Sequence, residues 1–167
     1  MNRGFGECYD VIADTSPIQY LYQTNLLDLF PQLYGSVIVP SAVMHELAAG
    51  AALAVSLPDL SSLAWLKVKT TTVDVALQEI NGLGAGEKEA LTLALEIEDP
   101  LVIVDDGLAR YYAKQLNIKF TGTLGILLKA KQLGKLTIVA PILDELDALG
   151  FRLDSATRMA VLKLAGE

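Results

Sequence analysis

The chain has 167 residues, the length of one ordinary domain, with one His, one Cys, and 20 acidic against 13 basic residues for a formal charge of −7. A single cysteine, Cys8, excludes an internal disulfide framework and a cysteine zinc site and fits a reducing cytoplasm, while the negative charge opposes polyanions at long range. No signal-like apolar region follows Met1 and no apolar run approaches the roughly 18 residues of a membrane span, so a soluble, unprocessed cytoplasmic protein is expected.

The first strand-like run, residues 9–13, ends in Asp14, which Thr15, Ser16 and Pro17 follow. An aspartate there either caps the next helix, with Pro17 in its first turn, or stands at the carboxyl rim where ligands of open α/β sheets bind. A second run, 36–39, leads through Pro40 into a helix over 42–49 that Ser41 caps and Gly50 stops. Glu46 lies in that helix among Ala42, Val43, Ala49 and Gly50 at three- and four-residue spacings, so it either points at something close-packed or is a solvated helix glutamate. Residues 50–64 are apolar without a period and read as a mobile or interface segment before a run at 65–68.

Three glycines between 82 and 86 precede a long helix that starts near Glu87. The helix dipole favours a carboxylate in that first turn whatever its role. Glu87 also shares the stripe of Ala90, Leu91 and Ala94, which must face the core, whereas Glu89 falls on another face and is the weaker candidate. The run 101–104 ends in Asp105 and Asp106; Asp105 is favoured as a ligand, with Asp106 as cap of a helix over 106–115 and alternate ligand. Arg110, one turn on, either reaches a phosphate or pairs with an acid. Runs at 118–121 and 136–139 and helices over 124–132, 141–149 and 155–165 complete the chain. Strands alternating with helices predict an α/β fold in one domain, residues 1–167, with a parallel sheet covered on both faces.

Carboxylates gathered at one rim raise each other's pKa unless a positive charge joins them, and a divalent ion supplies it. An all-oxygen donor set suits Mg2+ or Mn2+. The lone His45 cannot form a histidine zinc set, the glycines at 82–86 lack the context of a phosphate loop, and no dinucleotide fingerprint occurs. The six tyrosines are scattered, which fits packing better than base stacking.

The order of parts resembles a PIN domain, the fold of metal-dependent ribonucleases that includes the VapC-like toxins of bacterial toxin–antitoxin pairs. The residues that carry the likeness are Asp14-Thr15-Ser16 after a strand, Val39-Pro40 with a helical Glu46, Gly86-Glu87 opening a helix, and Asp105-Asp106 after a strand. The likeness covers nearly the whole chain and extends to a prokaryotic PIN-like branch through Gly86-Glu87-Lys88-Glu89-Ala90, Asp105-Asp106 to Arg110, Gly122-Thr123-Leu124-Gly125 and Gly166-Glu167. It implies a three-layer α/β/α sandwich on a mainly parallel sheet of about five strands. It further implies that Asp14, Glu46, Glu87 and Asp105 hold Mg2+ or Mn2+, with Asp106 as alternate. Glu87 replaces the family's usual Asp, and Asp105-Asp106 stand where a Thr-Asn-Asp context is common. Thr15 or Ser16 matches a hydroxyl that orients a water or ligand.

The implied activity is endonucleolytic hydrolysis of RNA phosphodiester bonds. If the chain is a toxin, a small antitoxin protein is expected to block the acidic cleft. A mean hydropathy of +0.40 is high for a monomer and predicts a homodimer. Two alternatives stand beside this reading. A Mg-dependent phosphotransferase or phosphatase also gathers strand-end aspartates, but favours Asp-x-Asp or a late strand-end Lys, and neither stands out. A PIN-fold binding module with weak or no catalysis is the other.

Overall fold

Branched apolar residues in short runs, uninterrupted by polar ones, form strands that can be buried on both faces, and five such strands pair here in parallel. The computed structural model describes residues 9–167; Cys8 and the segment read above for a leader lie outside them. Strands β1 (Asp10–Ala13), β2 (Val37–Pro40), β3 (Leu66–Lys69), β4 (Pro100–Ile103) and β5 (Lys119–Thr121) lie in the order β3-β2-β1-β4-β5. Every pair is parallel, with Val11 opposite Leu101 and Ile38 opposite Lys67. Side chains alternate across the sheet: Val11, Ala13, Val37, Val39 and Ile103 enter one core, and Ile12, Ile38 and Val102 the other. Lys67, Lys69 and Lys119 sit on the two edge strands, where charge discourages pairing with another chain.

Helices α1 (Thr15–Gln23), α2 (Leu29–Tyr34) and α3 (Ser41–Ala52) cover the first face, with Ile18, Leu21, Phe30, Val43 and Leu47 pointing into its core. Helices α4 (Val75–Gln78), α5 (Ala85–Glu96) and α6 (Gly107–Gln115) cover the second through Leu77, Leu91, Leu93, Ala109 and Ala113. Helices α7 (Thr123–Gln132), α8 (Ala140–Ala148) and α9 (Ser155–Ala165) return to the first face. The result is a three-layer α/β/α sandwich. From β1 the chain moves one way across the sheet, to β2 and β3; from β4 it moves the other way, to β5. Right-handed crossovers put the helices of the two directions on opposite faces, so the connections leaving β1 and β4 diverge and open a crevice at their carboxyl ends.

Three points depart from the sequence reading. Ser41 does not cap α3: Pro40 holds the N-cap position without a side-chain cap, and Ser41 Oγ meets Thr70 Oγ1 at 2.7 Å. Residues 136–139 form no strand: Val139 is fully buried in the first core, and its N–H bonds the Glu167 carboxylate at 2.7 Å rather than a sheet neighbour. The apolar character there reflects burial, not pairing. Gly50 does not end α3, which runs on to Ala52; a Cβ at Gly50 would lie 2.6 Å from Leu57 Cδ1, so the glycine admits the returning chain. The stop comes at Ala54, in the left-handed region with φ of 62°.

Candidate active site

The end of β1 determines the environment of Asp14. Its backbone N–H bonds Ile103 O at 3.0 Å, continuing the β1–β4 ladder, and the residue is only 3% exposed. It occupies the N-cap position of α1, yet its side chain makes no capping bond and Oδ1 is buried without a hydrogen-bond partner among the described residues. Burial pushes its pKa from 3.8 up to about 8; the Thr15 backbone N–H pulls it down, and the charges of Glu87, Glu46 and Asp105 push it further up.

Glu46 stands beside it. Thr15 Oγ1 donates to Glu46 Oε2, and Gly86 N–H donates to Oε1 at 2.9 Å, so the carboxylate is held between the starts of α1 and α5. This approach requires glycine at 86: a Cβ there would lie 2.8 Å from Glu46 Oε2, 2.9 Å from Asp14 Oδ1 and 2.9 Å from Val43 Cγ2. The oxygens of Asp14 and Glu46 therefore face one small volume.

Glu87, half-buried in the first turn of α5, accepts the Gly84 N–H at 2.6 Å, closing the helix start. Burial raises its pKa, the Gly84 N–H lowers it, and the charges of Asp106 and Glu46 raise it. Asp105 follows β4 and accepts Thr123 N–H and Thr123 Oγ1, both at 2.7 Å, so it holds the N-terminus of α7. Burial raises its pKa against those two bonds and the attraction of Arg110. Gly122 permits this, since a Cβ there would lie 2.6 Å from Asp105 Oδ1. Asp106 caps α6 by accepting the Ala109 N–H at 2.9 Å. The expected division between a ligand and a cap thus meets two capping acids.

Glu87, Asp105 and Asp106 line a cleft of about 400 Å³ at the crevice between β1 and β4, together with Ser16, Tyr20, Phe151 and Arg152. Asp14 and Glu46 lie outside that lining. Arg110 also lies outside it; its guanidinium sits 5.4 Å over the Phe120 ring and acts on Asp105 by charge. Glu89 accepts the Ala42 N–H at 2.8 Å and so anchors the start of α3, and His45 is exposed on α3. The sequence reading missed Tyr20, Phe151 and Arg152, which meet only because the turn after α8 lands on α1.

Residues 10–167 match the family model described as a PIN domain. The chain belongs to the PIN-domain family. A PilT N-terminus domain protein from the hyperthermophilic archaeon Sulfolobus solfataricus P2 has a similar structure, with a TM-score of 0.52 and 16% identity over 72% of this chain and 92% of that one. At that identity the likeness is one of fold. No curated protein matches the chain. Among the described residues no helix is long and apolar enough to cross a membrane.

PIN domains are nuclease-type folds, and the donor chemistry of this one can be tested against a divalent ion. Among its described residues no three Asp, Glu, His or Cys side chains are gathered closely enough to enclose a metal. The arrangement fits Mg2+ nonetheless, because that ion keeps several waters and binds through one or two carboxylates plus substrate phosphate. Asp14 and Glu46 provide such a pair, and the orphaned Asp14 Oδ1 is a buried acceptor in want of a cation.

Proposed function

We propose that this PIN domain is a divalent-metal-dependent endoribonuclease that hydrolyses RNA phosphodiester bonds. The observation that carries the reading is Asp14: a carboxylate buried at a sheet rim, with one oxygen lacking a partner among the described residues, is costly unless a cation completes it. Asp14 and Glu46 would hold Mg2+ or Mn2+, with Glu87 and Asp105 turned to the cleft beside them and Asp106 as the alternate to Asp105. Such an ion supplies a water of lowered pKa and positive charge at the reacting phosphate.

The residues around it have separate duties. Thr15 fixes the Glu46 carboxylate through its hydroxyl, leaving Ser16, on the cleft wall, to orient the attacking water. Arg110 tempers Asp105 rather than touching RNA. The test is cleavage of a mixed-sequence RNA with Mg2+ or Mn2+ by the parent and by Asp14→Asn. Loss of cleavage with an unchanged circular-dichroism spectrum is expected; an Asp14→Asn protein as active as the parent would overturn the assignment.

As the toxin of a pair, the protein would be blocked by a small antitoxin placing a basic side chain in the acidic cleft. The homodimer rests on the mean hydropathy of +0.40, high for a monomer, and would cover exposed apolar side chains such as Met159 and Leu164 of α9. Light scattering at micromolar concentration is expected to give twice the chain mass; the chain mass alone would remove the dimer from the reading.

A further inference from the structure

Beside its three acids the cleft is lined by Tyr20, Phe151 and Arg152. Helix α8 ends at Gly150, whose φ of 88° suits glycine, with Gly150 N–H on Asp147 O at 3.0 Å and Phe151 N–H on Leu146 O at 2.9 Å. That closure carries Phe151 onto Tyr20, edge to face, with ring centroids 5.1 Å apart and an interplanar angle of 81°. Arg152, the next residue, is exposed in the same cleft. Arg158 pairs with Asp144 at 2.6 Å and Lys131 with Glu167 at 2.8 Å, but Arg152 has no ion pair among the described residues.

We propose that Tyr20, Phe151 and Arg152 form the substrate-holding wall of the cleft, Arg152 taking a phosphate next to the scissile one and the two rings receiving the adjoining base. This rests on the ribonuclease reading of the same cleft. The three acids of the same cleft repel RNA, and the chain as a whole carries −7, so a local guanidinium is what gives a phosphate a foothold. Aromatic faces accept any base, and the wall carries no Asn or Gln amide to read base edges, so binding discriminates bases poorly. A cleft of about 400 Å³ has room for one unstacked nucleotide.

The test measures binding of a short fluorescein-labelled oligouridylate to the full chain by anisotropy, in Ca2+ and over a salt series. Arg152→Gln is expected to weaken binding about tenfold and to flatten the salt slope by about 0.7, the loss of one phosphate contact, while Arg152→Lys keeps the slope. Phe151→Leu, which retains apolar packing, weakens binding about fivefold or more without changing the slope. With Mn2+ and a cleavable RNA, Arg152→Gln raises KM and leaves kcat unchanged. Parent affinity and slope in Arg152→Gln, no oligouridylate binding by the parent, or a preference above about tenfold between oligouridylate and oligoadenylate would each overturn the proposal. A parent that binds through this wall but cleaves nothing with Mg2+ or Mn2+ would leave the wall standing and remove the ribonuclease reading.

Discussion

Asp14 and Gly86 show how one position can set both the chemistry and the stability of a site. An acid whose folded pKa is raised holds its proton in the native state while the unfolded chain loses it, so stability falls as pH climbs from the unfolded value of 3.8 toward about 8. Asp14→Asn removes that liability. In EDTA its stability is expected to match the parent's near pH 4 and to exceed it increasingly toward pH 8, read as a widening gap between the two midpoints of thermal unfolding. Equal pH profiles in the two proteins would show that Asp14 titrates as an ordinary surface acid. Gly86→Ala acts through space instead, because its methyl must displace the Glu46 and Asp14 oxygens and Val43 together. Overpacking of this kind costs about 1–3 kcal/mol, and a shift of the acids by about 1 Å lowers the cleavage rate about a hundredfold. Paired melting and cleavage assays check both; full activity in Gly86→Ala would mean that the two acids need not stay where they are.

At the scale of elements, helix starts are held by acids that come from elsewhere in the chain. Glu167 accepts the Val139 and Ala140 N–H groups at 2.7 and 2.9 Å and pairs with Lys131, which holds its pKa down at about 2. A depressed acid contributes stability above its unfolded value of 4.5 and loses it as pH falls toward about 2. Glu167→Gln is therefore expected to melt below the parent at pH 7, the gap closing as pH falls between 4.5 and 2. A gap that persists at pH 2 would assign the effect to shape and not charge. This contact also explains what the sequence leaves hidden. Helix α9 was legible to the residue, and Asp106 was legible as a cap, because start and stop signals lie within a few positions of each other. The run 136–139 was misread because Glu167 lies 28 residues from Val139, beyond any local window. The site divides the same way: acids directly after apolar strands announce themselves, while Tyr20 and Phe151 meet only where the turn after α8 lands on α1.

For the molecule as a whole, the parallel sheet concentrates negative charge at the one rim where its topology opens. Asp14, Glu87 and Asp105 all have raised pKa values, chiefly through burial, so ionising them at this rim is costly on a chain already at −7. A divalent ion that binds only the folded state stabilises it by about 2.7 kcal/mol at a hundred times its Kd. For a chain of this length that raises the melting midpoint by about 5–10 °C. Protons compete for the same oxygens, so the rise is expected to be large near pH 8 and small near pH 5, where Asp14 stays protonated. Asp14→Asn should lose most of it, whereas Arg152→Gln, which removes no carboxylate, should keep it. Scanning calorimetry with Mn2+ against EDTA at the two pH values makes the comparison. A shift independent of pH, or one that Asp14→Asn retains, would locate the ion away from the rim and break the link between the fold's crevice and its chemistry.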